Sequence, residues 1–102
     1  MGHELTIYVD NYPAIEYDHP YPHELIRLYK EEKEIREDEK IFTKKMMLDF
    51  RDWLYQYYIR ENKDDEGFDY DYEGERILEF IKDITIMMNT FPSIPSYKIL
   101  FC

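Results

Sequence analysis

Cysteine is almost missing from this sequence: one residue in 102, Cys102, at its end. No internal disulfide can form, so the packing of side chains has to hold the fold. A free terminal thiol is the expected state of Cys102 rather than an intermolecular bond. Glycine is scarce as well, at three residues, and none belongs to a phosphate-cradling loop. There is no Cys-x-x-Cys pair and no nucleophile elbow around a serine. No apolar run approaches the ~20 residues of a membrane span. The opening segment, MGHELTIYVD, lacks the basic and apolar regions of a signal peptide. Cations are outnumbered, with 13 Lys and Arg against 23 Asp and Glu, for a net charge of −10. That balance argues against binding a phosphate backbone, which takes clustered Lys and Arg to displace counterions, and against an anionic membrane surface. A soluble intracellular domain with a basic partner is the expectation.

Aromatics are what the sequence has in quantity: eleven Tyr, six Phe and one Trp. Each buried ring contributes about as much as any residue can, so a few suffice for the core of one small domain spanning residues 1–102. The organising stretch is 43–60, TKKMMLDFRDWLYQYYIR. Met46, Met47, Phe50, Trp53, Leu54, Tyr57 and Tyr58 fall on one stripe of a helix capped by Thr43. Leu48, Tyr55 and Ile59 form a second apolar line on the opposite side, which predicts a helix sandwiched in the domain or one that keeps a face for a partner.

Residues 5–9 read as a strand with Leu5, Ile7 and Val9 on one face. Asn11, Tyr12 and Pro13 turn the chain, and residues 14–21 are extended at best ahead of Pro20 and Pro22. A helix is expected over 22–39, apolar early and supported late by the pairs Lys30–Glu34, Glu32–Arg36 and Lys33–Glu37. Residues 67–72, GFDYDY, could be extended. A last helix over 73–88 carries Ile77, Phe80, Ile81, Ile84, Met87 and Met88, and residues 96–101 read as a terminal strand. The fold class is α+β: three helices beside a small sheet formed by the N- and C-terminal strands. An offset of 51 residues aligns 4–35 with 55–86 with six identities, which suggests an internal repeat of two related half-domain motifs.

Chemistry-bearing patterns are few. Residues 62–73, NKDDEGFDYDYE, resemble an EF-hand calcium loop, with Asp64, Glu66, Gly67 and Glu73 at ligand or turn positions. Asn62 in first place and Asp69 in eighth depart from that pattern, and a solvated acidic loop is the preferred reading, with no metal or cofactor expected. His19 and His23 stand four apart, yet Pro20 and Pro22 break the helix they would need to share a metal. Carboxylate pairs such as Asp49 with Asp52, or Glu75 with Glu79, arise by chance among so many acids, so no catalytic residue is assigned.

The tyrosines remain. Tyr12, Tyr17 and Tyr21 precede the first helix, and Tyr70 and Tyr72 precede the last. Mixed with Asp18, Asp69 and Asp71, they predict a Tyr-lined acidic groove for a basic peptide, a use of Tyr common where one side packs and the other meets a partner. The expected function is therefore a non-enzymatic protein–protein interaction module, monomer or homodimer. Its candidate contacts are Tyr12, Tyr17, Tyr21, Leu48, Tyr55, Ile59, Tyr70 and Tyr72. The alternatives are an acidic DNA mimic that inhibits a host nucleic-acid-binding protein through residues 31–39 and 64–75, and a calcium-binding helix–loop–helix. In its abundant Ile, Tyr, Glu and Lys and its rare Ala and Gln, the chain resembles small proteins of filamentous viruses infecting hyperthermophilic archaea. That resemblance implies a viral protein of the host cytoplasm, without assigned activity, and carries over no site residue.

Overall fold

Alternation of apolar and polar residues in the first segment gives β1, Leu5–Val9, whose Leu5, Ile7 and Val9 are buried. The computed structural model describes residues 4–64 and 70–101, with side chains given over 4–61 and 72–101. β1 turns tightly through Asp10, at φ 55°, into β2, Tyr12–Tyr17. The chain reverses at Asp10 and Asn11, one step earlier than the sequence suggests, so Tyr12 pairs with Val9 and Pro13 enters the strand. Pro13 is tolerated there because β2 is an edge strand. β3, Ile41–Thr43, is a strand of three residues, too short for its periodicity to signal it in the sequence. β4, Ser96–Phe101, completes an antiparallel sheet of order β2-β1-β4-β3. The expected pairing of the two terminal strands is its centre, with Leu5 opposite Phe101 and Ile7 opposite Ile99.

Three helices cover one face of this sheet, giving an α+β fold with one continuous core. α1, Tyr21–Glu32, has Pro22 in its first turn, where the missing N–H costs nothing, and buries Leu25, Ile26 and Tyr29. It stops well before residue 39. Glu34 adopts φ 57°, the Glu34 N–H donates to the Glu31 carbonyl, and the Ile35 N–H reaches back to the Lys30 carbonyl at 2.8 Å. This is a Schellman termination, anchored by Ile35 packing on the core. The expected i,i+4 pairs beyond Lys30 give way to others: Arg27–Glu31, Arg36–Asp38, Lys33–Asp49 and Arg60–Glu32. The apolar contact of Ile35 outweighs a few solvent-exposed ion pairs, each worth only tenths of a kcal/mol.

α2, Lys44–Asp64, begins as expected: the Met46 N–H donates to Thr43 Oγ1 at 3.1 Å. Met47, Phe50, Trp53 and Leu54 are buried, and Met46, Tyr57 and Tyr58 pack partly against them. Residues 70–72 are not extended; Tyr70–Gly74 winds as a π-helical turn into α3, Glu75–Thr90, which buries Ile77, Phe80, Ile84, Met87 and Met88. Lys44 Nζ meets the Pro92 carbonyl and Arg51 Nη1 meets Thr85 Oγ1, so α2 and α3 run antiparallel. Rings form a chain across the core: Trp53, Tyr29 and Phe50 at one end, then Phe80, then Tyr17, with Phe50–Phe80 centroids 5.4 Å apart and Tyr17–Phe80 5.2 Å. At the 51-residue offset α1 lies against α3, β1 lies against the helical end of α2, and the stretch set against β2, residues 63–68, lies mostly outside the described residues. Among the described residues, no helix is long and apolar enough to cross a membrane.

Candidate functional site

β2 is the outermost strand, and α3 runs beside it on the helical face. Between them lies a hollow of about 270 Å³, bordered by Tyr12, Ala14, Glu16, Asp83, Ile86 and Phe91. Tyr12 and Ile86 are 59% and 51% exposed, and the Tyr12 ring sits 5.6 Å from that of Phe91. These apolar side chains reach the surface for local reasons. Tyr12 follows a tight turn, and Ile86 falls off the α3 stripe that faces the core. A second hollow, about 400 Å³, lies at the other end of the strand between Glu4, Thr6, Glu16, Tyr17 and Asp18. Glu16 borders both, so the two hollows meet around the β2 edge as one bent trough, the first on the helical side and the second on the outer face of the sheet.

The trough is acidic. Glu4, Glu16, Asp18 and Asp83 line it, and among the described residues no Lys or Arg does. Tyr17 donates its hydroxyl proton to Asp83 Oδ2 at 2.6 Å, tying the strand to α3. Burial raises the Tyr17 phenol well above its ordinary range, and the Asp83 hydrogen bond and the charges of Asp83 and Glu79 push it further. It is thus a neutral donor that holds the Asp83 carboxylate in place. Negative charge beside a low-dielectric wall concentrates the field on an approaching cation.

The residues singled out in the sequence divide among several places. Tyr12 and Tyr17 line the trough. Tyr21 lies at the start of α1, its hydroxyl buried with no hydrogen-bond partner among the described residues. Its phenol is raised by burial and by neighbouring Tyr57, Glu73, Glu24 and Glu61. Tyr72 lies under the Arg76 guanidinium, 5.3 Å from its ring. Leu48 and Tyr55 are exposed, at 38% and 52%, and Ile59 is half-buried, all on the outer side of α2. They make a surface line, not a sandwiched one, and do not reach the trough. The side chain of Tyr70 lies outside the described side chains, as does most of the calcium-like stretch, whose Asp65 to Asp69 are outside the described residues. Asn62 and Asp64 belong to the last turn of α2.

The two histidines go to separate partners, His19 against Tyr17 and His23 stacked on Phe101 at 3.9 Å. Among the described residues no cluster of three or more His, Cys, Asp or Glu could hold a metal ion. The trough adds Glu4, Glu16, Asp83, Ile86 and Phe91 to the candidates. Two signals for them were present in the sequence: Glu16 points outward between buried Ile15 and Tyr17, and Ile86 breaks the α3 stripe. No family model, curated protein or solved structure matches the chain.

Proposed function

We propose that this protein is a non-enzymatic binding module that holds a basic segment of another protein in the trough beside β2. One observation carries the reading: two hollows meeting around the β2 edge, bordered by four carboxylates and the exposed Tyr12 and Ile86, with no Lys or Arg among the described residues that line them. Lys and Arg side chains would place their charged ends near Glu4, Glu16 and Asp18 on the outer face, while apolar side chains of the same segment would lie on Tyr12, Ile86 and Phe91 on the helical side. Exposed ion pairs contribute about 0.2–1 kcal/mol each, so binding is moderate, salt-sensitive and dependent on the aromatic anchor.

The reading is tested by isothermal titration of Lys- and Arg-rich peptides at low ionic strength, against the protein and a Glu4→Gln, Glu16→Gln, Asp18→Asn variant. The expected result is saturable binding that the triple variant weakens by about tenfold or more, equivalent to about 1.4 kcal/mol. Absence of saturable binding by any basic peptide abandons the reading. The DNA-mimic alternative has less support. In residues 31–39, Glu31, Glu32 and Asp38 are each paired with an arginine, which offsets part of the charge a mimic would present.

A further inference from the structure

We infer that the basic segment binds as an added strand on the open edge of β2, with basic and apolar side chains alternating. This deepens the reading above and rests on it. β2 has β1 on one side only. On its other side no backbone hydrogen bond from the described residues reaches it. An edge of unpaired N–H and C=O groups is a template for another extended chain, and natural sheets that do not use it cover, charge or shorten it. Here α3 stands off far enough to leave the hollow between Ala14, Glu16, Asp83 and Ile86. Pro13 has no donor, and the register shift opposite Ile7 and Tyr8 leaves Ala14 as the extra residue of a bulge, so the pairing runs past both, over Ile15 to Tyr17.

The two faces of an added strand meet different surfaces, because successive side chains point to opposite sides. Those on the helical side meet Ile86, Met87 and Phe91; those on the outer side meet Glu16, Glu4 and Thr6. The occupant is thus a segment in which Val- or Ile-like residues alternate with Lys or Arg. A second copy of this chain does not suit the site in a symmetric β2-to-β2 pairing. Glu16 and Asp18 of the two copies would then stand in one ladder, and like charges there are destabilising.

The experiment uses a synthetic peptide of about eight residues alternating Val and Lys, enough to span a strand. Two further versions are methylated at the backbone nitrogens of either the odd or the even residues. Alternate N–H groups of a strand face opposite edges, so one methylation set removes the donors facing β2 and the other does not. Expected is a loss of about tenfold or more in affinity for one set and near-equal affinity for the other. Binding of the unmodified peptide should also slow hydrogen exchange in β2. Equal binding by both methylated peptides and the parent overturns strand addition while leaving the basic-segment reading intact. Failure of the unmodified peptide to bind removes both. Concentration-dependent self-association in the absence of peptide, abolished by Glu16→Lys, also overturns the inference by assigning the edge to a second copy.

Discussion

The two edges of the sheet are built in opposite ways. The β3 edge is three residues long, flanked by Lys40, Lys44 and Lys45, with Ile41 opposite Lys98. Its one inward side chain, Phe42, is fully buried against Tyr29 and Phe50. The β2 edge is six residues long, bears carboxylates, and stands beside a hollow with exposed apolar side chains. Short length and lysines are the usual means of stopping a strand edge from pairing. The β3 edge uses both; the β2 edge uses neither, and only its first half is blunted, by Pro13 and the bulge at Ala14. The difference leaves β3 as the short, lysine-flanked end of the sheet and β2 as the long, acidic end beside a hollow.

The largest test of that division is Phe50→Ala. Phe50 is fully buried and touches Tyr29, Phe42, Trp53 and Phe80. The expected loss in chemical denaturation is about 3–5 kcal/mol, a large share of a small domain's stability. The ring chain continues through Phe80 to Tyr17, so the loss should appear as one cooperative transition. Two separable transitions would mean the ends of the sheet are energetically independent.

Next is Lys30, only 3% exposed, whose Nζ donates to the Glu37 and Glu39 carbonyls. Burial lowers its pKa, opposed in part by Glu39, Asp38 and Glu37. Lys30→Met keeps the stem and orphans two carbonyls, at an expected cost of about 1–3 kcal/mol. These carbonyls sit in the strap that leads into β3, so amide exchange should quicken at residues 41–43 and not in β2. Equal quickening at both edges would break the comparison.

Alkaline pH acts on the fold as a whole. Burial raises the phenols of Tyr17, Tyr21, Tyr29, Tyr57 and Tyr97 above the ordinary 10.0. Above pH 10 the unfolded chain releases these protons and the folded chain keeps them, so stability present below pH 10 is lost as pH rises. Lys30 works the other way, since its lowered value makes the folded state shed a proton before 10.5. Five phenols against one amine give a net fall, measurable by denaturation on either side of pH 10, with tyrosinate absorbance appearing together with unfolding.

Glu34→Gly tests the strap more gently. Glu34 holds φ 57° without a glycine's freedom. Relief of that strain, less the added entropy of the unfolded chain, should stabilise by up to ~1 kcal/mol.

How far the sequence could be read follows from the same residues. Periodicity revealed β1, β4, their pairing and the core stripe of α2, because burial there depends on side chains at fixed spacing. The Thr43 cap was legible for the same reason. The end of α1 was not: charge pairing suggested a long helix, while one apolar residue, Ile35, decided the stop through a contact distant in space. β3 was missed because three residues carry no period. Of the candidate site, Tyr12 and Tyr17 were found by composition. Their partners Asp83 and Ile86 lie far along the chain and are brought near only by the docking of α3 against β2. Leu48, Tyr55 and Ile59 were correctly read as lying off the core stripe, but that alone assigns them no partner.

The smallest expected effect on stability gives the sharpest test of the two edges. Glu16→Lys and Asp52→Lys change the net charge equally, and both sites are exposed, so each should shift stability by no more than ~0.5 kcal/mol. Asp52 lies on the outer side of α2, away from the trough, while Glu16 borders both of its hollows. At physiological ionic strength screening acts over about 8 Å, so a charge reversed on α2 should scarcely be felt at β2. Binding of a basic peptide should therefore fall about tenfold or more with Glu16→Lys and stay within about twofold with Asp52→Lys. Equal losses would mean that attraction comes from the total charge of the molecule, and the contrast between the acidic edge and the lysine-flanked edge would then have no bearing on binding.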